Sequence, residues 1–188
     1  MSSVPKSRRE KHNFLASHKL EQIRKRITEL SINDFGYDKE RMEKEIQRFS
    51  EHIGDFKGKE DVVRRKKEKN VSFYADFVEE ETVITRGILR EVVFEFELGN
   101  HIFPSGEALL VEFCERRKHI NNAIGRLYCL KQELKYIAET LPGDKNRYDA
   151  ITADIKEEIS LMKGVRKSAN RFLTQGKKEE PEAENKDG

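Results

Sequence analysis

The chain has 188 residues; charged residues make up 38% and hydrophobic residues 36%, with four prolines and no tryptophan. This length fits one domain with a modest core, and the composition is typical of long, solvated helices rather than of a compact sheet enzyme. The formal net charge is only +2, which excludes a uniformly basic surface. A site for a polyanion must therefore come from local clusters of charge.

The N-terminal third predicts a basic arm followed by two helices. Residues 1–12 are rich in lysine and arginine and are expected to form a flexible arm. Apolar residues at helical spacing predict a first helix to about Leu30, which residues 31–37 interrupt with asparagine, aspartate and glycine. Asp38 is a plausible N-cap for a short second helix with the apolar residues Met42, Ile46, Phe49 and Ile53.

The middle of the chain predicts two long helices. From Lys59 to Leu98 there is no proline, so one very long helix is expected, ending at the stop signal Gly99-Asn100. Phe103-Pro104 makes a turn, and the next helix begins at Ser105 and ends near Leu141. The expected apolar stripe of the long helix comprises Val63, Phe73, Phe77, Ile84, Ile88, Val92 and Phe96.

Asp144 is expected to cap the last helix, which continues to Phe172. From Thr174 onward the chain is charged and poor in apolar residues, which predicts a disordered tail over residues 174–188. The predicted fold is all-α: an antiparallel up-down four-helix bundle over residues 13–173, with one extra short helix and disordered termini.

The compartment is predicted from cysteine usage and hydropathy. Cys114 and Cys129 fit no zinc spacing and are expected to be reduced core residues of a cytoplasmic protein. No apolar run is long enough to span a membrane, and no signal-peptide core follows the basic start. We therefore expect a soluble protein with no membrane partner.

Arg117 is predicted to lie on the apolar face of the helix that follows Pro104. Counting from Phe113, it falls among Ile120, Ile124 and other apolar residues, and Lys131 does the same further along. A buried charge needs compensation, so Arg117 should face an acidic partner, a subunit interface or a polyanion. Glu91 and Glu95 of the preceding helix are the possible partners, and a snorkelling side chain is the alternative.

Two basic clusters are candidates for binding phosphates. If the last two long helices are antiparallel neighbours, six cations gather at one end of the bundle: Arg116, Lys118, Lys163, Arg166, Lys167 and Arg171. A second cluster, Arg64, Arg65, Lys66 and Lys67, lies in the first half of the long helix. The alternative is that these are solvated faces with salt bridges along the helix.

Catalytic signatures are missing from the sequence. Asp34-Phe35-Gly36 imitates a kinase motif, but no other kinase element accompanies it, so it is interpreted as a turn. The five histidines lack metal-ligand spacing, and there is no glycine-rich phosphate loop or nucleophile elbow. We therefore predict that the protein is not an enzyme and needs no metal or cofactor.

The second half of the chain resembles a known family. The segments Gly99–Pro104, Glu115–Arg117, Ala123-Ile124 and Glu133–Ile137, with residues 159–170, are similar to the accessory variability determinant (Avd) proteins of diversity-generating retroelements. The opening Val4–Arg8 also resembles their start. These segments contain no catalytic motif.

The resemblance implies a fold and a role. Members of the Avd family are four-helix bundles that form barrel-shaped homopentamers with a basic surface. They bind the reverse transcriptase of the element and its template RNA, and support the error-prone synthesis of cDNA. The alternative is a protein-interaction or structural bundle without a nucleic-acid role, like the ribosomal-intervening-sequence proteins or a phage structural protein.

Overall fold

The computed structural model describes the backbone of residues 6–179 and the side chains of residues 15–174. Six α-helices and two short 3-10 turns make up this part of the chain, in which no strand occurs, so the protein is all-α. The helices are α1 Lys6–Ile32, α2 Lys39–His52, α3 Lys59–His101, α4 Leu109–Thr140, α5 Arg147–Ser168 and α6 Asn170–Glu179. None of the described helices is long and apolar enough to cross a membrane.

The main core is shared by four helices. Helix α1 packs against α3 and α5, α4 packs against α3 and α5, and buried side chains from all four form one cluster. The short helix α2 packs against α3, and its buried residues Met42 and Ile46 lie outside that cluster. Because α3 has 43 residues, it is roughly 65 Å long. Its first turns extend along α2, and its later turns line the main core.

Local signals correctly predict several of the helix boundaries. The carboxylate of Asp38 accepts hydrogen bonds from the backbone N–H groups of Glu40 and Arg41, at 3.0 and 3.1 Å, which confirms the predicted N-cap of α2. The turn predicted at Asp34-Phe35-Gly36 is a 3-10 turn in which all three residues have positive φ. Phe35 is buried there, and its carbonyl accepts a hydrogen bond of 2.6 Å from the hydroxyl of Tyr148.

Other predicted boundaries need correction. Helix α1 begins at Lys6, so residues 6–12 are helical rather than a loose arm, and α6 continues to Glu179, beyond the predicted start of disorder at Thr174. Asp144 is not the N-cap of α5, because it accepts the N–H of Asn146 in a turn that precedes the helix. The predictions for residues 1–5 and 180–188 lie outside the described residues.

Cys114 and Cys129 are also placed differently from the prediction. Both are free but exposed rather than part of the core. The apolar residues of α4 that are buried lie on the opposite side of the helix, facing α3 and α5.

The core face of α3 is more polar than the sequence pattern predicts. It includes Glu81 and Thr85, while the expected stripe residues Ile84 and Ile88 are half-buried and Phe73 is exposed. Burial raises the pKa of Glu81 to about 7, and the neighbouring carboxylate of Glu133 adds to this effect.

A second carboxyl group lies in the core on α5. Glu158 is fully buried, and neither of its carboxylate oxygens has a hydrogen-bond partner among the described residues. Burial raises the pKa of Glu158 to about 8 because the charged form loses its hydration. The core therefore contains a carboxyl group that is stable mainly in its neutral form.

A candidate nucleic-acid interface

Three cations lie along the line where α4 packs against α5 and the start of α6. Arg166 donates a hydrogen bond of 2.7 Å to Oδ1 of Asn121, and the Nζ of Lys163 donates one of 2.9 Å to the hydroxyl of Tyr128. Arg117 donates one of 3.2 Å to Oδ1 of Asn170. All three acceptors are neutral, so the positive charges are positioned without being neutralised. We call this surface, with Lys131, Lys156 and Lys167 alongside, the α4–α5 face.

Helical spacing accounts for this alignment. Lys163 and Arg166 of α5 are three positions apart and Asn170, the first residue of α6, follows four positions later; residues 117, 121 and 128 of α4 are four and seven positions apart. Such spacings place side chains above one another on one side of a helix. The contacts therefore follow the groove between α4 and α5.

The opposite side of α5 carries two acidic residues that are ion-paired with α1. Asp154 and Glu157 both lie 2.7 Å from the Nζ of Lys19 of α1, and Asp154 also pairs with Arg26. Asp154 and Glu157 are thus neutralised by α1, while Lys163 and Arg166 of α5 face α4 and bond to neutral groups. Helix α5 therefore separates an ion-paired side from a positively charged side.

A cavity of about 180 Å³ opens on the α4–α5 face. Three lysines line it, and no acidic residue is among its lining residues: Tyr128, Lys131, Lys156, Ile159, Ser160 and Lys163. Three ammonium groups and two hydroxyl groups around a small opening suit an anion with several oxygen atoms, such as a phosphate.

The structure corrects the roles predicted for Arg116 and Arg117. Arg116, predicted to contact phosphate, is only 2% exposed. Its Nη1 donates hydrogen bonds to the carbonyls of Gly99, Asn100 and Ile102, at 2.7, 3.2 and 2.7 Å, and its guanidinium lies 6.0 and 5.8 Å from the rings of Phe103 and Phe172. Arg116 therefore satisfies the free carbonyls at the end of α3 and cannot bind a polyanion.

Arg117, predicted to be the packed charge, lies at the edge of the buried face instead. The buried residues Leu130, Leu134 and Ile137 shift the centre of that face from Phe113 towards Arg116. The guanidinium of Arg117 is 6.0 Å from the ring of Phe113 and bonds to Asn170.

The predicted partners of Arg117 bind other groups. Glu91 pairs with Arg126 at 2.7 Å, and Glu95 lies 2.7 Å from Nδ1 of His119 and 3.2 Å from Nδ2 of Asn122. The hydrogen bond from His119 lowers the pKa of Glu95. The predicted ion pair of Arg117 with Glu91 or Glu95 is therefore wrong.

The remaining predicted cations of this cluster differ in their exposure to solvent. Lys118 and Lys167 are exposed, whereas Arg171 is half-buried, with its guanidinium 5.3 Å from the ring of Phe172. The charge of Arg171 is close enough to Arg116 to add to the lowering of the Arg116 pKa, which burial mainly lowers to about 10. Arg171 therefore belongs with the packing around Arg116 rather than with the α4–α5 face.

The second basic cluster contacts α2 and its own helix. Arg64 pairs with Asp61 at 3.0 Å and with Glu68 at 3.7 Å, and Lys67 pairs with Glu43 of α2 at 2.9 Å. Lys66 lies 5.9 Å from the ring of Phe49, and Arg65 is exposed. Two of the four cations are thus neutralised by acids, which weakens this cluster as a phosphate site.

Tyr128, Lys131 and Lys156 were not among the predicted site residues, and Lys131 was expected on the apolar face of its helix. A signal was present, because Tyr128 is three residues before Lys131, and Lys156, Ser160 and Lys163 follow at spacings of four and three. Their meeting depends on the packing of α4 against α5. No group of three metal-binding side chains occurs among the side chains that the structure describes.

Comparisons with known proteins add no relative: no family model, curated protein or solved structure matches this chain.

Proposed function

We propose that this protein is a non-catalytic accessory protein of a diversity-generating retroelement, which binds the template RNA and the reverse transcriptase and supports mutagenic cDNA synthesis. The α4–α5 face is the observation that carries the proposal. Among the side chains that the structure describes, those that bond to Arg117, Lys163 and Arg166 are all neutral. Such charges attract phosphates and release counterions when they bind.

The packing supports the architecture that the resemblance implies. Helix α1 contacts α3 and α5, and α4 contacts the same two helices, as expected for an antiparallel up-down four-helix bundle with α2 as the extra helix. The proposed setting is the cytoplasm, where an RNA template and a reverse transcriptase meet.

Exposed apolar residues support self-association. Val83, Phe94 and Leu98 share one side of α3 at 68%, 62% and 37% exposure, and Leu110 and Val111 of α4 are each 64% exposed. An apolar side of this kind is typical of an interface between subunits. We propose that it contributes to the homopentamer that the resemblance implies.

The same apolar residues favour the second candidate, a protein-interaction or structural bundle without a nucleic-acid role. In that case the α4–α5 face would be a solvated surface. RNA binding and its dependence on salt separate the two candidates.

The test uses a fluorescein-labelled single-stranded RNA and fluorescence anisotropy across a salt series. The triple variant R117Q/K163Q/R166Q should weaken binding and reduce the salt slope by about 2, since each lost phosphate contact removes about 0.7 for a single strand. The matched control R64Q/K67Q removes cations that are already ion-paired and should change the slope by much less.

Two results would contradict the proposal. Failure of the wild-type protein to bind RNA at low salt would refute the nucleic-acid role, and so would equal salt slopes for the triple variant and the wild type. A monomer in light scattering would contradict the pentamer separately, without bearing on RNA binding.

A further inference from the structure

Tyr128 presents an aromatic ring on the basic α4–α5 face. The Tyr128 side chain is 45% exposed. Its hydroxyl is held by Lys163, which fixes the position of the side chain. An ordered, exposed ring among cations is the usual arrangement for stacking a nucleic-acid base.

The faces of the Tyr128 ring are not covered by Lys163. The Nζ atom of Lys163 is 2.9 Å from the phenol oxygen and 5.5 Å from the ring centre. This difference is close to the distance between the centre of a phenol ring and its oxygen. The ammonium therefore lies near the line of the C–O bond, at the hydroxyl end of the ring, and does not itself cover a flat face of this ring, which belongs to a side chain that is 45% exposed.

The cavity beside the ring has the size of a subsite. Its volume of about 180 Å³ is below the roughly 300–1,000 Å³ of pockets that enclose a whole small ligand. Lys131, Lys156 and Lys163 line it together with the hydroxyl of Ser160. It suits one phosphate group of a longer chain better than a free nucleotide.

We propose that Tyr128 stacks one base of a single-stranded RNA while an adjoining phosphate lies among Lys131, Lys156 and Lys163. This inference rests on the proposed function and specifies the form of RNA that the α4–α5 face binds.

Single strands fit this arrangement better than duplexes. The bases of an A-form helix are stacked on one another, and its major groove is too deep and narrow for side chains. A ring on the side of a helix can reach only a base that is unstacked. Duplex RNA can still contact the lysines through its phosphates, without using Tyr128.

The test compares two substitutions of Tyr128 by fluorescence anisotropy with short labelled single-stranded and duplex RNAs. Tyr128→Leu removes the ring and should weaken single-strand binding roughly tenfold while leaving the salt slope unchanged. Tyr128→Phe keeps the ring and loses only the hydrogen bond to Lys163, so it should retain most of the affinity. Duplex binding should be the same for both variants and for the wild type.

Tyr136→Leu is the matched control. Tyr136 is 51% exposed on the same helix, lies outside the cavity, and contacts the ring of Phe77. Its substitution should leave RNA affinity unchanged. Circular dichroism and size-exclusion chromatography test whether all three variants are folded and assembled like the wild type.

The outcomes separate this inference from the proposed function. If Tyr128→Leu binds single strands as tightly as the wild type, while R117Q/K163Q/R166Q still binds weakly, stacking is refuted and the polyanion site remains. Equal losses in Tyr128→Leu and Tyr128→Phe would also refute stacking, because the hydroxyl and not the ring would then matter. If the wild type binds no RNA, both proposals fail.

Discussion

Replacing Arg116 with methionine should destabilise the protein by about 3 kcal/mol. The guanidinium makes two hydrogen bonds of 2.7 Å to the carbonyls of Gly99 and Ile102, and a longer one to Asn100. Each short bond from a charged donor contributes about 1.5–3 kcal/mol, so the two together contribute roughly 3–6 kcal/mol. Removing a buried charge that has no carboxylate partner among the described residues offsets about 1–2 kcal/mol of this loss.

The free energy of unfolding is measured by urea denaturation followed by circular dichroism. The expected loss corresponds to a melting temperature lower by roughly 6–12 °C for a chain of this size. Arg117→Met is the matched control, since Arg117 makes one hydrogen bond of 3.2 Å at the edge of the buried face, and it should change stability by less than about 0.5 kcal/mol. Equal stabilities of the two variants would refute the role assigned to Arg116.

Two further predictions concern the core and a loop contact. Glu158→Gln should become more stable relative to the wild type as the pH rises from about 4.5 to about 8. The pKa of Glu158 is raised to about 8 in the folded protein, so the folded wild type keeps a proton that the unfolded chain loses. The difference in the free energy of unfolding between variant and wild type therefore grows by up to about 1.4 kcal/mol per pH unit. Urea denaturation at several pH values measures it, with the exposed, ion-paired Glu157→Gln as the control; parallel profiles of Glu158→Gln and the wild type would disprove it. Gly143→Ala should destabilise the protein by about 1–3 kcal/mol in thermal denaturation, since its Cβ would lie 2.5 Å from the backbone oxygen of Gly36. Gly164→Ala is the control: its Cβ would meet nothing within 4 Å inside α5, so this substitution should stabilise the protein slightly. A Gly143→Ala variant as stable as the wild type would contradict the close contact with Gly36.

Sequence periodicity and helix-breaking residues predict much of the secondary structure. Hydrophobic spacing and the lack of proline predict α3 as one helix, and Asp38 marks the start of α2, because these signals depend on neighbours within a few residues. Composition likewise predicts the all-α class. The start of α5 is harder, because the turn from Asp144 to Asn146 continues into the helix without a side-chain cap.

The identities of the buried and the exposed cations depend on tertiary structure. Periodicity locates the apolar side of α4 only to within about one residue, and the positions of α3 and α5 decide that Arg116 is enclosed and Arg117 is not. The candidate site needs the same information, since Lys163 can meet Tyr128 only after α4 and α5 pack together. By itself the sequence determined where most helices form and which charged residues each helix carries. Only the packing decided which charges are neutralised, because a charge is neutralised by the groups opposite it, and those groups lie on other helices.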